Sequence, residues 1–501
     1  MKTILNNPKS LLHWHNALGW WGLAAITIWV LSGAAHPIMS WLGPKAENFF
    51  PPSMTVDGQQ LGRVTNLIST TGVLNNARVV KVVPSEKGPL LQVTTDDYAP
   101  RQYYSLASGN KLNNFDGEQA KWLASYYTGR PVSDIASIQF QTNFDDSYPW
   151  VNRLLPVYNV HFSGEDSLRI FIHTETSAMA GLNNELKASM QWFFQHAHTF
   201  KWLNGFEYGR LIIMSLFMLC LIGTAVLGLL LVFALKSRKI KSGSRRYHRW
   251  LGYVLWLPLL AWSASGFYHL LQSSLVDKPA GMRLNTPFNA PSMEALTPHV
   301  NLPESLSDHH INSISLVRDE NALFYRLSIS AASDVNVSRT QRYTGMPTEK
   351  RAVFIDATTG LISDAQNDQH YAQNLAANFA GISTDKVGAS SMITRFGTGY
   401  DFRNKRLPVW KVEINDADNT WLFIDPITGI LVDQSESIAR VEEWSFTFLH
   451  KWNFLTPFTG RMVRDILIVV CLSFLLAISY FGAKLLLSRS RREKNTLNPS
   501  A

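Results

Sequence analysis

Four stretches of this chain lack charged residues for long enough to cross a bilayer: residues 16–42, 211–235, 250–271 and 466–483. A helix needs roughly 18–20 apolar residues to span about 30 Å of hydrocarbon. Each stretch is near or above that length. Mean hydropathy over all 501 residues is only −0.04, so the spans alternate with long polar regions. Tryptophans gather in and beside the spans, Trp14, Trp41, Trp202, Trp250 and Trp452 among them, as amphipathic rings do at a membrane interface. A cleaved signal peptide is a poor reading of the first stretch. It is too long and too rich in tryptophan for that, and it has an internal counterpart.

Charge orients the spans. Residues 236–249 hold seven Lys/Arg and no acid, the tail from Lys484 to Lys494 holds five, and the first nine residues hold two. These 14 cations face a single acid and belong on the cytoplasmic side by the positive-inside rule. The remainder has 32 cations against 37 acids. The formal net charge of +8 therefore reflects topology and anionic lipid, and nucleic acid is not expected as a partner. Both termini are expected inside. The expected order is an N-terminal segment with span 1 (1–42), a first outer domain (43–205), span 2 (206–236) and a basic loop (237–247). Span 3 (248–272), a second outer domain (273–460), span 4 (461–488) and a tail (489–501) follow. The two cysteines, Cys220 and Cys471, exclude a disulfide scaffold and a Cys-based zinc site, and no CxxCH is present for covalent haem.

The chain reads as two copies of one unit. His15, Gly19, Ser32, Gly33 and His36 in span 1 match His248, Gly252, Ser265, Gly266 and His269 in span 3, all at an offset of 233. Leu155-Pro156-Val157-Tyr158 matches Leu407-Pro408-Val409-Trp410 at 252, and the same offset carries Phe171-Ile172 onto Phe423-Ile424 and His198 onto His450. Copies that both run inside to outside and back predict a twofold axis along the membrane normal. Within the outer domains, Phe354 to Gly360 recurs as Phe423 to Gly429. Each carries D-x-x-T-G, the pattern of a hairpin with glycine in the left-handed position. Weaker versions stand at Tyr104 to Gly109 and Phe171 to Ser177. Each outer domain is thus expected to hold two small α+β units.

Histidine at membrane depth is costly unless it faces the bundle interior with a partner. His15 and His36 are 21 residues apart, roughly 31 Å of helix, and project from nearly the same stripe. One sits at each face. Gly19 and Gly33 lie one turn from them, as Gly252 and Gly266 lie from His248 and His269. Glycine beside an imidazole leaves a flat slot. His13 points about 200° away and matches Arg246, so it reads as interfacial. No carboxylate or histidine lies at mid-depth, which fits zinc, a proton path or a metal channel less well than b-type haem between paired imidazoles. Twofold symmetry places an inner haem between His15 and His248. Outside, it permits either a haem on the axis between His36 and His269, or two off it, His36 with His198 and His269 with His450. The total is two or three haems.

H-R-W-L-G at 248–252, H-N-A-L-G at 15–19, the Ser-Gly-x-x-His endings and the D-x-x-T-G hairpins resemble the PepSY-associated transmembrane family. The resemblance covers nearly the whole chain. It implies a bacterial inner-membrane protein with four transmembrane helices forming a haem-binding bundle and two α+β periplasmic domains of PepSY-like units. It also implies ferric siderophore reductase activity in iron acquisition, with a ferric chelate as periplasmic acceptor. His196-Ala197-His198 departs from the single His450 of the other half, and the 252 offset favours His198 as ligand. The short inner segments carry no nucleotide fingerprint. Quinol or a separate reductase is therefore the expected electron donor. Two other classes stay open: a non-catalytic PepSY protein that binds and regulates a peptidase or iron transporter, and a metal permease. Arg395, Arg403 and Arg406 form an outer cationic cluster that is either a contact for an anionic chelate or a solvated strand surface.

Overall fold

The computed structural model describes residues 7–497 except 71, 207, 236–242, 277–280, 289–295, 303, 307–308, 331–340, 347–350 and 398. Most of the expected basic loop therefore lies outside the described residues. The principal helices, in chain order, are α1 (Pro8–Leu42), α2 (Gly58–Thr70), α3 (Phe115–Thr128), α4 (Glu185–Ala197), α5 (Gly209–Ala234), α6 (Gly243–Leu275), α7 (Asp368–Ala380), α8 (Ser437–Ser445) and α9 (Thr456–Leu497). Helices α1, α4, α5, α6, α8 and α9 pack as one unit, and the strands with α2, α3 and α7 as another.

Four of these helices, α1, α5, α6 and α9, are long and apolar enough to cross a membrane. Helix α1 starts where Asn7 accepts a hydrogen bond from the Ser10 amide and Pro8 occupies the first turn, where its missing N–H costs nothing. It ends against Gly43, beyond the 42 expected from hydropathy by no residue. Helix α9 is longer than the charge-free stretch and contains a break at Gly460 (φ 74°, ψ 166°) that only glycine adopts readily. Helices α1 and α6 each pack on both α5 and α9, so α1 and α6 face one another across the bundle. Val30, Leu251, Leu255, Leu472 and Leu475 form a dry layer there.

The other unit is built on antiparallel sheets. Strands β1 (Val79–Val83), β2 (Leu90–Thr94), β3 (Gln102–Ser105) and β4 (Lys111–Leu112) come from the first half of the chain. Strands β5 (Ile135–Gln141), β6 (Val157–Phe162), β7 (Arg169–His173) and β8 (Ala178–Asn183) form a four-stranded sheet under α3. Strands β9 (His310–Asp319), β10 (Ala322–Ser330) and β11 (Arg351–Asp356) follow, and β12 (Val387–Ile393), β13 (Val409–Ile414), β14 (Trp421–Asp425) and β15 (Ile430–Ser435) form a second four-stranded sheet under α7. The remaining seven strands make one sheet in the order β11-β10-β9-β1-β2-β3-β4. Its central seam pairs Val80 with Leu316. The two outer regions expected as separate domains therefore share a sheet and one core, with Leu61, Val80, Leu91, Tyr325 and Ile355 all buried in it. Each region alone would leave β1 or β9 as an unpaired apolar edge.

The D-x-x-T-G segments turn as their sequence requires. Asp425 Oδ1 accepts from the Ile427 amide, its Oδ2 from the Thr428 hydroxyl, and Gly429 takes φ 67° between β14 and β15. Gly360 and Gly109 take φ 73° in the related turns, and Ser177 takes φ 51° where glycine would be expected. Leu155-Pro156 and Leu407-Pro408 are both cis. The cationic cluster expected at Arg395, Arg403 and Arg406 is not an open patch. Arg406 is buried and bridges Glu175 and Asp425, and Arg403 is bound to Asp401; Arg395 alone is exposed. A guanidinium inside a sheet domain needs carboxylate partners, and the turns of β7–β8 and β14–β15 supply them.

Candidate functional site

The bundle brings four histidines into two facing pairs. His15 on α1 and His248 on α6 stand opposite each other near the basic ends of their helices, with ring centroids 6.3 Å apart and planes at 64°. At the other end His198, just after α4, faces His450 at the same 6.3 Å, with planes at 80°. His450 closes a π-turn (Phe446–His450) after α8. Left-handed residues at Phe200 (φ 51°) and Trp452 (φ 53°) then turn the chain into α5 and α9.

His198 and His450 are each held at the backbone by a tryptophan and at the ring by a serine. The Trp29 indole donates to the His198 carbonyl at 3.0 Å, and Trp262 to that of His450 at 2.8 Å. Ser32 Oγ donates to the Ile28 carbonyl and lies 3.0 Å from His198 Nδ1. Ser265 Oγ donates to Ala261 and lies 3.4 Å from His450 Nδ1. With their protons committed to the helix, these hydroxyls accept from Nδ1–H, which leaves Nε2 of each ring with a free lone pair. His248 Nδ1 donates to the Ile478 carbonyl at 3.1 Å with the same result. His15 Nδ1 is buried without a hydrogen-bond partner.

Glycines flank all four rings. A Cβ on Gly33 would lie 3.6 Å from His198 Cε1, and one on Gly266 would lie 3.5 Å from His450 Cε1. On the inner pair the neighbours are Gly228 of α5 (3.4 Å to His15) and Gly482 of α9 (3.3 Å to His248). The slots expected at Gly19 and Gly252 face Leu486 and Ile478 instead. Gly33 and Gly266 serve His198 and His450 and not His36 and His269. The reason is that α4 and the π-turn fold back onto the turn of α1 and α6 just below those residues.

His36 and His269 are not brought opposite each other. The His36 ring lies 6.0 Å from Phe194, which stacks on His198 at 4.6 Å. His269 stacks on Phe446 at 4.2 Å, Phe446 stacks on His450 at 4.7 Å, and His269 Nδ1 meets Glu442 at 2.5 Å. His196 turns aside, stacked on Trp192 with Nδ1 at the Trp192 carbonyl. Phe194, Phe446, Gly228 and Gly482 escaped the sequence reading. The phenylalanines could have been found at the 252 offset one turn before the histidines. The glycines stand 254 apart, out of step with the rest.

The two rings of each pair stand edge to face with centroids 6.3 Å apart, within the range of aromatic contact. Were a haem iron bound here, the two imidazoles of each pair would be the residues to hold it. Paired imidazoles, flanking glycine and an apolar bundle are the kinds of residue that would hold a bis-histidine haem. A family model described as the PepSY-associated TM region matches residues 75–489. No curated protein matches the chain.

Proposed function

The chain belongs to the PepSY-associated transmembrane family, and from that premise we propose that it is a b-type haem protein passing electrons across a bacterial inner membrane to a ferric chelate. The observation that carries this reading is the equal 6.3 Å spacing of two histidine pairs, one near each end of the bundle. In this reading His15 and His248 hold one haem and His198 and His450 a second. The basic ends of the helices lie in the cytoplasm, and the sheet domain lies in the periplasm, as the charge bias favours. Haem b, when bound, supplies a one-electron Fe(III)/Fe(II) couple.

The chain's own groups set the conditions for that couple. Ser32, Ser265 and the Ile478 carbonyl fix the Nδ1 proton and so present Nε2 to the iron. Val30, Leu251 and Leu475 keep water from the space between the sites. The electron donor in this reading is quinol or a separate reductase. Reduction serves iron release, since hard oxygen ligands hold Fe(III) far better than Fe(II).

A reduced-minus-oxidised spectrum of the purified protein, with pyridine haemochrome quantitation, tests this. We expect about two haems per chain and, in His248→Ala, about one with the outer signal retained. A wild-type protein without haem bands would return the choice to a non-catalytic PepSY partner of a peptidase or iron transporter.

A further inference from the structure

One corner of the sheet unit buries a guanidinium to which no carboxylate is bound. Arg101 follows β2 and leads into β3. It is 5 % exposed, and its Nε and Nη1 have no hydrogen-bond partner among the described residues. Its Nη2 lies 3.1 Å from His173 Nε2. A guanidinium only donates, so Nε2 accepts and the ring proton sits on Nδ1, 2.8 Å from the Thr176 hydroxyl. Burial first, then the Arg101 charge, holds the pKa of His173 well below its ordinary 6.5, so the ring is neutral.

Two hydroxyls in the same corner are also unsatisfied. Val93 pairs with Gln102, so the next positions outward, Thr94 and Arg101, adjoin. Residues two apart on a strand share a face. Thr94 and Arg101 therefore lie on the face of Gln92 and Tyr103, whose side chains are hydrogen-bonded at 2.8 Å. Gln92 Nε2 also donates to the Thr174 carbonyl at 3.0 Å, which sets the β7–β8 turn against this face. Thr94 is 3 % exposed and Thr174 1 %, and the hydroxyl of each has no partner among the described residues.

The nearby carboxylates are engaged elsewhere. Asp116 Oδ2 accepts from the Arg101 amide, and its Oδ1 from the Tyr103 hydroxyl. Glu175 is shared by Lys81 and Arg406. Water in the corner would satisfy the N–H groups but leave the buried charge of the head group unpaired, which is the larger cost. We propose that a halide ion of the size of chloride binds here, accepting from Arg101 Nε–H and Nη1–H and from the Thr94 and Thr174 hydroxyls. The four groups come from different elements and all can donate, and one guanidinium charge matches one monovalent anion. The site depends on nothing proposed for the helix bundle.

Thermal unfolding of the full chain in chloride–gluconate mixtures of fixed ionic strength tests this. A ligand of the folded state raises the midpoint by mass action. We expect the wild-type midpoint to rise with chloride, and with bromide in its place. Arg101→Met removes the charge and should abolish that dependence. Thr94→Val/Thr174→Val keeps the charge and should weaken the apparent halide affinity about tenfold. A wild-type midpoint indifferent to chloride overturns the proposal, as does equal chloride dependence in wild type and Arg101→Met. If Arg101→Met shows no cooperative transition, wild-type crystals grown in sodium bromide decide. An anomalous peak beside the Arg101 guanidinium supports the site; its absence there overturns it and leaves water as the partner of these donors.

Discussion

Ser32 and Ser265 each touch both their own helix and an imidazole. Each gives its own proton to its helix and takes one from an imidazole Nδ1. Replacing either with alanine leaves Nδ1–H unsatisfied and frees the ring to turn. Hydrogen-bond partners that orient a metal-binding imidazole are worth about 10–100-fold in metal affinity. If the bundle holds haem as proposed, Ser32→Ala should lose it to apomyoglobin about tenfold faster than wild type, with the His15–His248 site unaffected. The histidines themselves were legible in the sequence, because His15, His36 and their counterparts recur at one offset beside Ser-Gly pairs. The pairing of His15 with His248 was legible too, from the twofold repeat, but that of His198 with His450 was not. Helical periodicity places His15 and His36 on one stripe, but it says nothing about which neighbouring segment folds over that stripe. Gly33 was visible one turn from His36, yet its neighbour is His198, more than 160 residues away.

Turns and segments carry the next layer. The π-turn Phe446–His450 widens the end of α8 and aims His450 at His198, while the first copy reaches the same place from the end of α4. The D-x-x-T-G hairpins show how a short motif dictates a backbone. Gly429 takes φ 67°, and a Cβ there would stand 2.6 Å from the Tyr371 hydroxyl. Both the conformation and the contact oppose any side chain. Gly429→Ala should destabilise the sheet unit by about 1–3 kcal/mol, measured as a lower thermal midpoint. Ser177 occupies the matching turn at φ 51°, so Ser177→Gly should be neutral or mildly stabilising. A fall in the midpoint for Ser177→Gly would mean that its side chain matters more than its backbone. These turns and the four long helices were legible because hydropathy and turn chemistry are local. The seven-stranded sheet was not, since its seam joins Val80 to Leu316 and no local signal marks an edge that is covered by a distant strand.

At the scale of the whole molecule, the two outer regions are tied by charge as well as by strands. Lys81 and Glu175 come from the first, Arg406 and Asp425 from the second. Glu175 meets both Arg406 and Lys81 (2.7 Å), and Arg406 meets Asp425 at 2.9 Å, all with little solvent contact. Burial raises the pKa of Glu175, but Arg406, then Lys81 and His173, outweigh it and hold the carboxyl well below its ordinary value of 4.5. Burial likewise works against the charge on Arg406, and Glu175 and Asp425 overcome it. A carboxylate whose folded pKa is depressed stabilises the fold above its unfolded pKa. That stability is lost as pH falls below about 4.5. Asp401 acts in the same sense: burial opposes its charge, yet hydrogen bonding and attraction from Arg403 hold it at about 2 against an ordinary 3.8. Thermal unfolding followed from pH 7 to pH 3 should therefore show an acid-side loss of stability. Glu175→Gln leaves Lys81 and Arg406 without their shared partner. It should cost about 3–5 kcal/mol at pH 7 and flatten the acid limb, leaving the part due to Asp401. A variant as stable as wild type at pH 7, with the same acid limb, would show that the two regions are held by their shared sheet alone.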